Sequence, residues 1–68
     1  MQVSARNVLP AKVKRVTVGK VMTEVVMQVG DQELVAAITS GSAKRMKIRV
    51  GDQVFAMIKA TEVMIAKE

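Results

Sequence analysis

The stretch VMTEVVMQVGDQELVAAIT, residues 21–39, decides the fold. In residues 21–29 apolar side chains alternate with partly polar ones, which is typical of a β-strand with one face in a core. Gly30-Asp31 is a recognised two-residue hairpin signal. Residues 32–39 then form a second strand that is apolar on both faces, as strands covered on both sides are. The stretch therefore predicts an antiparallel hairpin that is buried more deeply than one small sheet can bury it.

Working outward from this hairpin, the sequence predicts further strands on both sides. Residues 11–18 alternate with one slip at Lys14-Arg15, which indicates a β-bulge, and a bulge bends and twists a strand as a small barrel requires. Gly19-Lys20 is a weaker signal for a two-residue turn into residue 21. Residues 53–59 and 63–66 are apolar runs that read as two more strands, and a short strand is expected near the N-terminus.

One short helix is expected over residues 41–47, with Ser40 or Ser42 as its N-cap. Ala43 and Met46 lie three residues apart and are expected to share its inward face. A single turn is expected at residues 60–62. A helix between the third and fourth long strands is the OB-fold arrangement. The fold class predicted for residues 1–68 is therefore all-β: one domain forming a five-stranded OB-fold barrel with one short helix.

Composition restricts how so small a domain can be stabilised. The chain has 68 residues, no cysteine and no histidine, so disulfides and the usual zinc sites are excluded. Half of the residues are hydrophobic, and the only aromatic residue is Phe55, which lies in an apolar run and is expected to face a core. Small domains without disulfides or metals often gain stability by association. A homo-oligomer is therefore expected.

The charge balance favours an anionic partner. Eleven Lys and Arg against six Asp and Glu give a net charge of +5, which attracts nucleic acid, acidic lipid or small oxyanions. The first residues lack the apolar core of a signal peptide. No stretch approaches the roughly 18 apolar residues of a membrane span. A cytoplasmic protein without a membrane partner is expected.

Three short segments carry the donors that a tetrahedral dianion needs. Ser4-Ala5-Arg6-Asn7 offers a hydroxyl, backbone amides and the planar fork of an arginine. Thr39-Ser40-Gly41-Ser42 opens a helix, where free N–H groups favour anions. Lys59-Ala60-Thr61 adds a point charge at the end of an apolar strand. Each segment also has an interpretation that involves no ligand. The first can be an exposed tail, the second a helix cap, and the third a lysine whose charge reaches water.

Taken together, these segments resemble the Mop family, the molbindins. The resemblance is carried by Ser4-Ala5-Arg6-Asn7, by Ile38-Thr39 with Ser42, and by the ending Lys59-Ala60-Thr61-Glu62-Val63-Met64-Ile65. It covers nearly the whole chain. It implies an OB-type barrel that binds molybdate, with tungstate as a substitute, and a hexamer built as a trimer of dimers. It also implies that the N-terminal strand reaches a neighbouring subunit and that oxyanions are held between subunits, for storage in molybdenum homeostasis.

The resemblance assigns the oxyanion ligands residue by residue. Ser4, Ala5 and Arg6 match the first segment of the family site, Thr39 and Ser42 the second, and Lys59 and Ala60 the third. Some relatives have serine where this chain has Ala60, which offers only its backbone N–H.

Three other interpretations compete with this one, and the simplest is a structural oligomer that binds no ligand. A basic OB-fold nucleic-acid-binding module suits the charge and the fold, but such modules stack bases on several aromatic side chains, and this chain has one. An enzyme is not expected, because histidine is missing and no nucleophile motif, phosphate-binding loop or carboxylate pair is present.

Overall fold

The longest strand, β1 (Asn7–Val18), is the centre of the structure, a computed structural model that describes residues 1–68. It is followed by β2 (Met22–Val29), β3 (Gln32–Thr39), helix α1 (Ser40–Arg45), β4 (Gln53–Ile58) and a 3₁₀ turn at Ala60–Glu62. The four strands form one antiparallel sheet in the order β3-β2-β1-β4. The all-β class with one short helix is confirmed.

A β-bulge divides β1 into two halves. Val13 pairs with Met27 and Arg15 with Val26, so that Lys14 has no partner across the ladder. The predicted bulge is confirmed. The first half of β1 pairs with β4 from Asn7 to Lys12, and the second half pairs mainly with β2. One bent strand therefore connects both sides of the sheet.

The unpaired Lys14 has its own partner on β3. Its Nζ donates a hydrogen bond of 2.5 Å to Oε2 of Glu33. That hydrogen bond, together with the positive charge of Lys14, lowers the pKa of the Glu33 carboxyl from its ordinary value. Because both side chains are about half exposed, the pair adds little stability.

The two hairpins close differently. Gly30 has φ +60° and is the first residue of a two-residue turn between β2 and β3, which is where type II′ turns require glycine. The predicted Gly30-Asp31 turn is therefore confirmed. The turn between β1 and β2 was predicted with two residues and has three, 19–21. The backbone N–H of Gly19 closes it by donating to the carbonyl of Met22 at 2.9 Å.

The core lies on one face of the sheet. Its fully buried apolar members are Ala11, Val13, Val25, Met27 and Ala56. On β2 the predicted core face is borne out, since Thr23, Val25 and Met27 are buried; on the opposite face Glu24 is exposed, but Val26 is buried as well. Eight partly buried side chains pack against these five, and seven of the eight are Val, Leu or Ile, the branched aliphatic residues that suit a sheet.

Thr23 is the one buried polar side chain, with no exposed surface. Its hydroxyl lies 2.8 Å from that of Ser40, and Ser40 donates its only hydroxyl hydrogen to the carbonyl of Gly19 at 2.7 Å. Thr23 is therefore the donor to Ser40. The backbone N–H of Ser40 also donates to the carbonyl of Val21 at 2.7 Å. These bonds hold the start of the helix against the β1–β2 turn, and no buried polar side chain is left without a partner.

Helix α1 departs from its prediction at both ends. Its N-cap is Thr39 rather than Ser40 or Ser42, and its last helical residue is Arg45 rather than residue 47. Ala43 is buried as expected. Met46, expected on the same inward face, is the C-cap residue and is 62% exposed. The chain has left the helix at that residue, so helical spacing no longer places its side chain.

The fold prediction is wrong on strand number and closure. Four strands form an open sheet, and no strand is present at residues 63–66 or before Asn7. The 3₁₀ turn at Ala60–Glu62 follows β4 directly, and beyond it Met64 and Ile65 are more than 90% exposed. β3 and β4 therefore keep free edges, and a single chain does not close the barrel.

The orientation of the side chains on β4 shows that the prediction for Phe55 was also wrong. Val54, Ala56 and Ile58 point toward the core, so the intervening Phe55 and Met57 point away from it. Phe55 is 56% exposed and does not face the core of this chain. The strands are apolar on both faces, as the sequence indicated, but one chain covers only one of those faces.

The tight β1–β2 turn predicts a contrast between two glycines. A Cβ at Gly19 would lie 2.5 Å from the carbonyl oxygen of Met22, whereas a Cβ at Gly41 meets nothing within 4 Å. Gly19→Ala should lower the free energy of unfolding by roughly 1–3 kcal/mol. Gly41→Ala should raise it by up to about 1 kcal/mol, because alanine favours a helix over glycine. Urea unfolding at one fixed protein concentration measures both, and equal effects would contradict the turn geometry.

Candidate functional site

Strands β1 and β4 bring two of the three predicted segments together. Asn7 pairs with Ile58 at the end of the ladder, and the Asn7 side-chain amide donates to the Ile58 carbonyl at 3.2 Å. The residues before Asn7 and after Ile58 therefore leave the sheet side by side. They enclose an open cavity of about 420 Å³, here called the β1–β4 cavity, which is lined by Ser4, Ala5, Arg6, Met57, Lys59, Ala60 and Thr61.

The polar groups of the β1–β4 cavity are suited to an anion. Arg6 and Lys59 bring two positive charges to it, and no carboxylate lines it. Ser4 and Thr61 add hydroxyls, while Ala5 and Ala60 leave room at the backbone. Arg offers paired donors in a plane and Lys a compact charge, a combination that neutralises a dianion from two directions. Met57 and Thr61 are lining residues that the sequence analysis did not select.

The second predicted segment forms a separate group at the start of α1. The Thr39 hydroxyl accepts from the backbone N–H of Ser42 at 3.1 Å and donates to the Ser42 hydroxyl at 2.8 Å. Arg45 also donates from Nη2 to the Ser42 hydroxyl, at 3.2 Å. The Ser42 oxygen accepts both bonds, so its own hydrogen remains available to a ligand. We call Thr39, Ser42 and Arg45 the helix-start cluster.

Arg45 was not selected from the sequence as a site residue. The signal that would have found it is its spacing, because residues three apart on a helix are neighbours and Arg45 is three residues after Ser42.

The β1–β4 cavity and the helix-start cluster lie at opposite ends of the molecule. The cavity adjoins Asn7, the first residue of β1, while Thr39 pairs with Met22, beyond the last residue of β1. The two groups therefore lie at opposite ends of the sheet, in a chain whose longest extent is 37 Å. One chain therefore assembles Ser4, Ala5, Arg6, Lys59 and Ala60, but does not bring Thr39 and Ser42 to them.

The largest cavity lies elsewhere and is also basic. It measures about 680 Å³, and its cations are Lys44, Lys47 and Arg49 beside Val16 and Ile48. Lys47 has φ +54°, a left-handed conformation that is uncommon for a residue other than glycine. None of the predicted ligands lines this cavity. Ser40, which follows the predicted ligand Thr39, does line it. Its charges extend positive potential to the end of the molecule that carries the helix-start cluster.

Two other features bear on the function classes. No group of three or more His, Cys, Asp and Glu side chains stands together in a way that could hold a metal ion. No helix has the length and apolar character needed to cross a bilayer.

Comparison with known proteins points in one direction. The TOBE domain model matches residues 3–65. The chain is 46% identical over 67 residues to the molybdenum-pterin-binding protein MopA of Rhodobacter capsulatus, covering 97% of this chain and 25% of MopA. It is 38% identical over 66 residues to molybdenum-pterin-binding protein 3 of Clostridium pasteurianum, covering 96% of this chain and 97% of that protein. The chain thus spans about a quarter of the longer relatives it matches and nearly all of the short ones.

The fold is shared with a solved structure. A molybdate-binding protein from Sporomusa ovata superposes with a TM-score of 0.94 at 45% identity, over 98% of this chain and the whole of that one. At this identity and TM-score the likeness covers the fold of nearly the whole chain.

The helix-start cluster predicts the effect of one cap substitution. Thr39→Val keeps the shape of the side chain but removes the oxygen that accepts from the Ser42 N–H, and should lower the free energy of unfolding by about 1 kcal/mol. Thr39→Ser retains the oxygen and should lie within about 0.5 kcal/mol of the parent. Urea unfolding compares them. Equal losses would mean that the hydroxyl does not act as the cap.

Proposed function

Because the chain belongs to the TOBE-domain family, and within it to the Mop group of molybdenum-pterin-binding proteins, we propose that it binds molybdate, or tungstate in its place, and stores it for molybdenum homeostasis. Residues 1–68 act as a single binding domain. The oxyanion is held by hydrogen bonds and charge between copies of the chain. The names of the relatives and of the matching structure support the choice of ligand.

The observation that carries the proposal is the β1–β4 cavity. Arg6 and Lys59 come from opposite ends of the sequence, and the pairing of Asn7 with Ile58 places them around one space. Two like charges facing one cavity repel each other unless an anion lies between them. Ser4, Ala5 and Ala60 then supply hydroxyl and backbone donors to the oxygens that the two cations do not reach.

The second half of the site comes from another copy in this proposal. Thr39 and Ser42 belong to the ligand set that the resemblance implies, and they lie at the far end of their own chain. The free hydroxyl hydrogen of Ser42 and the charge of Arg45 suit the remaining oxygens of a tetrahedral anion. We propose a hexamer arranged as a trimer of dimers. The exposed apolar side chains Val18, Val21, Val35 and Val50 support association.

Reversible storage follows from the chemistry of such a site. Hydroxyls, amides, arginine and lysine bind an oxyanion without forming a covalent bond, so release follows when the free anion is diluted. Neither a histidine nor a carboxylate, the side chains that most often transfer protons in catalysis, lines the β1–β4 cavity, and for that reason we propose binding rather than catalysis. The cytoplasm is the proposed compartment, and cell fractionation tests it.

Discrimination between anions is proposed to rest on size. Sulfate, molybdate and tungstate are all tetrahedral dianions with similar hydrogen-bonding capacity. Molybdate and tungstate are nearly equal in size, whereas sulfate is smaller. A site fixed by rigid strand ends holds donors at one spacing, and a smaller anion loses some of these contacts.

Calorimetric titration with molybdate tests the function directly. The parent should bind molybdate and tungstate much more tightly than sulfate. Arg6→Ala and Lys59→Ala should each weaken molybdate binding about tenfold or more, because each removes a hydrogen bond between charged groups worth roughly 1.5–3 kcal/mol. Lys20→Ala is the matched control, since it removes a positive charge that lines none of the described cavities.

The same titration distinguishes oxyanion binding from the competing function, a nucleic-acid-binding module. A short single-stranded oligonucleotide should give no salt-dependent binding if the protein is an oxyanion store. Oligonucleotide binding without a molybdate signal would replace the proposal with the nucleic-acid module. Loss of molybdate affinity in Lys20→Ala equal to that in Arg6→Ala would mean that general charge, and not the β1–β4 cavity, attracts the anion.

A mixing experiment tests whether the site is shared between copies. Chains carrying Arg6→Ala and chains carrying Ser42→Ala are each expected to bind molybdate weakly. When they are unfolded and refolded together, about a quarter of the sites should combine an intact cavity with an intact helix-start cluster by random pairing. Calorimetry should therefore detect a tight-binding fraction that neither parent preparation has. No recovery would place the whole site within one chain.

A further inference from the structure

The hydroxyl of Ser42 receives two hydrogen bonds at once. The Thr39 hydroxyl donates to Ser42 Oγ at 2.8 Å, and Arg45 donates to the same oxygen from Nη2 at 3.2 Å. A serine hydroxyl has one hydrogen to donate and two lone pairs with which it accepts. Both lone pairs of Ser42 are therefore occupied, and donation is the only hydrogen bond that this hydroxyl can still make to a ligand.

The direction of these bonds follows from their partners. The Thr39 hydroxyl, at the N-cap of α1, accepts from the backbone N–H of Ser42 at 3.1 Å and gives its only hydrogen to the Ser42 oxygen. A guanidinium has donors and no acceptor, so Arg45 cannot take a hydrogen from Ser42. Hydrogen bonds in a chain also polarise one another, which makes the Ser42 hydroxyl a stronger donor. The hydrogen of Ser42 therefore stays free for a ligand.

The β1–β4 cavity is equally poor in acceptors. Arg6 and Lys59 carry donors only, and no carboxylate lines the cavity. Ser4 and Thr61 are the lining side chains whose oxygens accept as well as donate. A site assembled from this cavity and the Ser42 hydroxyl therefore offers many hydrogens to a ligand and few lone pairs.

Oxyanions of one shape differ in the hydrogens that they carry. Around neutral pH every oxygen of molybdate, tungstate and sulfate is unprotonated and only accepts. Phosphate keeps at least one hydrogen, and its O–H group needs an acceptor. When that group meets a hydroxyl that can only donate, two hydrogens face each other and a hydrogen bond is lost. Anion size does not make this distinction, because sulfate and phosphate are nearly equal in size.

We propose that Arg45 is a specificity-determining residue of the oxyanion site: by occupying the second lone pair of Ser42 it keeps that hydroxyl a donor, and the site rejects monohydrogen phosphate. Arg45 acts through Ser42 and is thus a positioning residue, although its charge also attracts the anion. The inference rests on the proposed function and adds a second basis of selectivity to size. Phosphate is the abundant tetrahedral anion of cells, so a store of molybdate must reject it.

Competition between two anions isolates the effect of one hydrogen. Sulfate and phosphate each displace molybdate from the protein in calorimetric titrations at constant ionic strength, in mildly alkaline buffer where phosphate is mainly the dianion HPO₄²⁻. The two competitors then match in charge, shape and size. The parent should bind sulfate about tenfold more tightly than phosphate, the effect of one unpaired hydrogen-bonding group. Because Ser4 and Thr61 still offer acceptors, the exclusion of phosphate is not complete.

Arg45→Ala tests the residue itself. The substitution frees one lone pair of Ser42, which then accepts from the phosphate O–H, so the ratio of the sulfate and phosphate affinities should fall to about threefold or less. Affinity for all the anions should also fall, because a charge is lost. Lys44→Ala is the matched control, since Lys44 is the neighbouring exposed cation on the same helix and the bonds to Ser42 Oγ come from Thr39 and Arg45. It should leave the ratio unchanged.

A double substitution shows whether Arg45 acts through Ser42. Ser42→Ala removes the hydroxyl whose direction Arg45 controls. When Arg45→Ala is added to chains that already carry Ser42→Ala, the ratio of the sulfate and phosphate affinities should not change further. A further change as large as that in the parent chain would mean that Arg45 contacts the anion independently of Ser42, and it would overturn the proposal.

The outcomes also separate this inference from the proposed function. If the parent binds molybdate tightly but binds sulfate and phosphate with equal affinity, the role of Arg45 is wrong and oxyanion storage stands. An equal fall of the ratio in Lys44→Ala and Arg45→Ala would overturn the role in the same way, since the cause would be general charge. If the parent binds no molybdate, the proposed function fails, and the specificity of its site fails with it.

Discussion

The structure depends on one strand that belongs to both sides of the sheet. β1 pairs with β4 through its first half and with β2 through its second, and the unpaired Lys14 lets it change direction between them. The backbone of Val13, next to the bulge, bonds to the loop before β4: its carbonyl accepts from Gly51 at 2.8 Å and its N–H donates to Asp52 at 2.9 Å. A bulge bends and twists the strand that contains it, so that β1 meets β4 and β2 in different directions.

The same strand separates the two groups that the proposed function joins. The β1–β4 cavity lies at the first residue of β1, and the helix-start cluster lies beyond its last. Each group is held firmly where it stands: the cavity by the Asn7–Ile58 pairing, the cluster by Thr39, Ser42 and the buried contact of Thr23 with Ser40. Rigid attachment of donors at both ends suits recognition of an anion by its size.

Much of this arrangement could be predicted from the sequence, and the misses have physical causes. The β2–β3 hairpin and the bulge were predicted correctly because alternation and its interruption are local properties of a strand. The prediction of a fifth strand at residues 63–66 was wrong. An apolar run indicates that a segment needs a partner, but it does not indicate whether that partner lies in the same chain. The prediction that Phe55 faces a core was wrong for the same reason, since Phe55 is exposed in a single chain. Arg6 and Lys59 were chosen by residue type and resemblance, and the pairing of β1 with β4 explains why they meet. Arg45 was missed because its hydrogen bond to Ser42 depends on the two residues lying on one face of the helix, and the residue types of the predicted segment do not show it.

The distance between the β1–β4 cavity and the helix-start cluster has a consequence for regulation by protein amount. If each complete site needs two copies, isolated chains have no storage capacity, whatever their number. At low protein concentration the number of complete sites then rises with the square of the chain concentration, and it becomes proportional only after assembly is complete. A cell that doubles the amount of such a protein at low concentration would raise its reserve about fourfold, without any change in affinity for the anion.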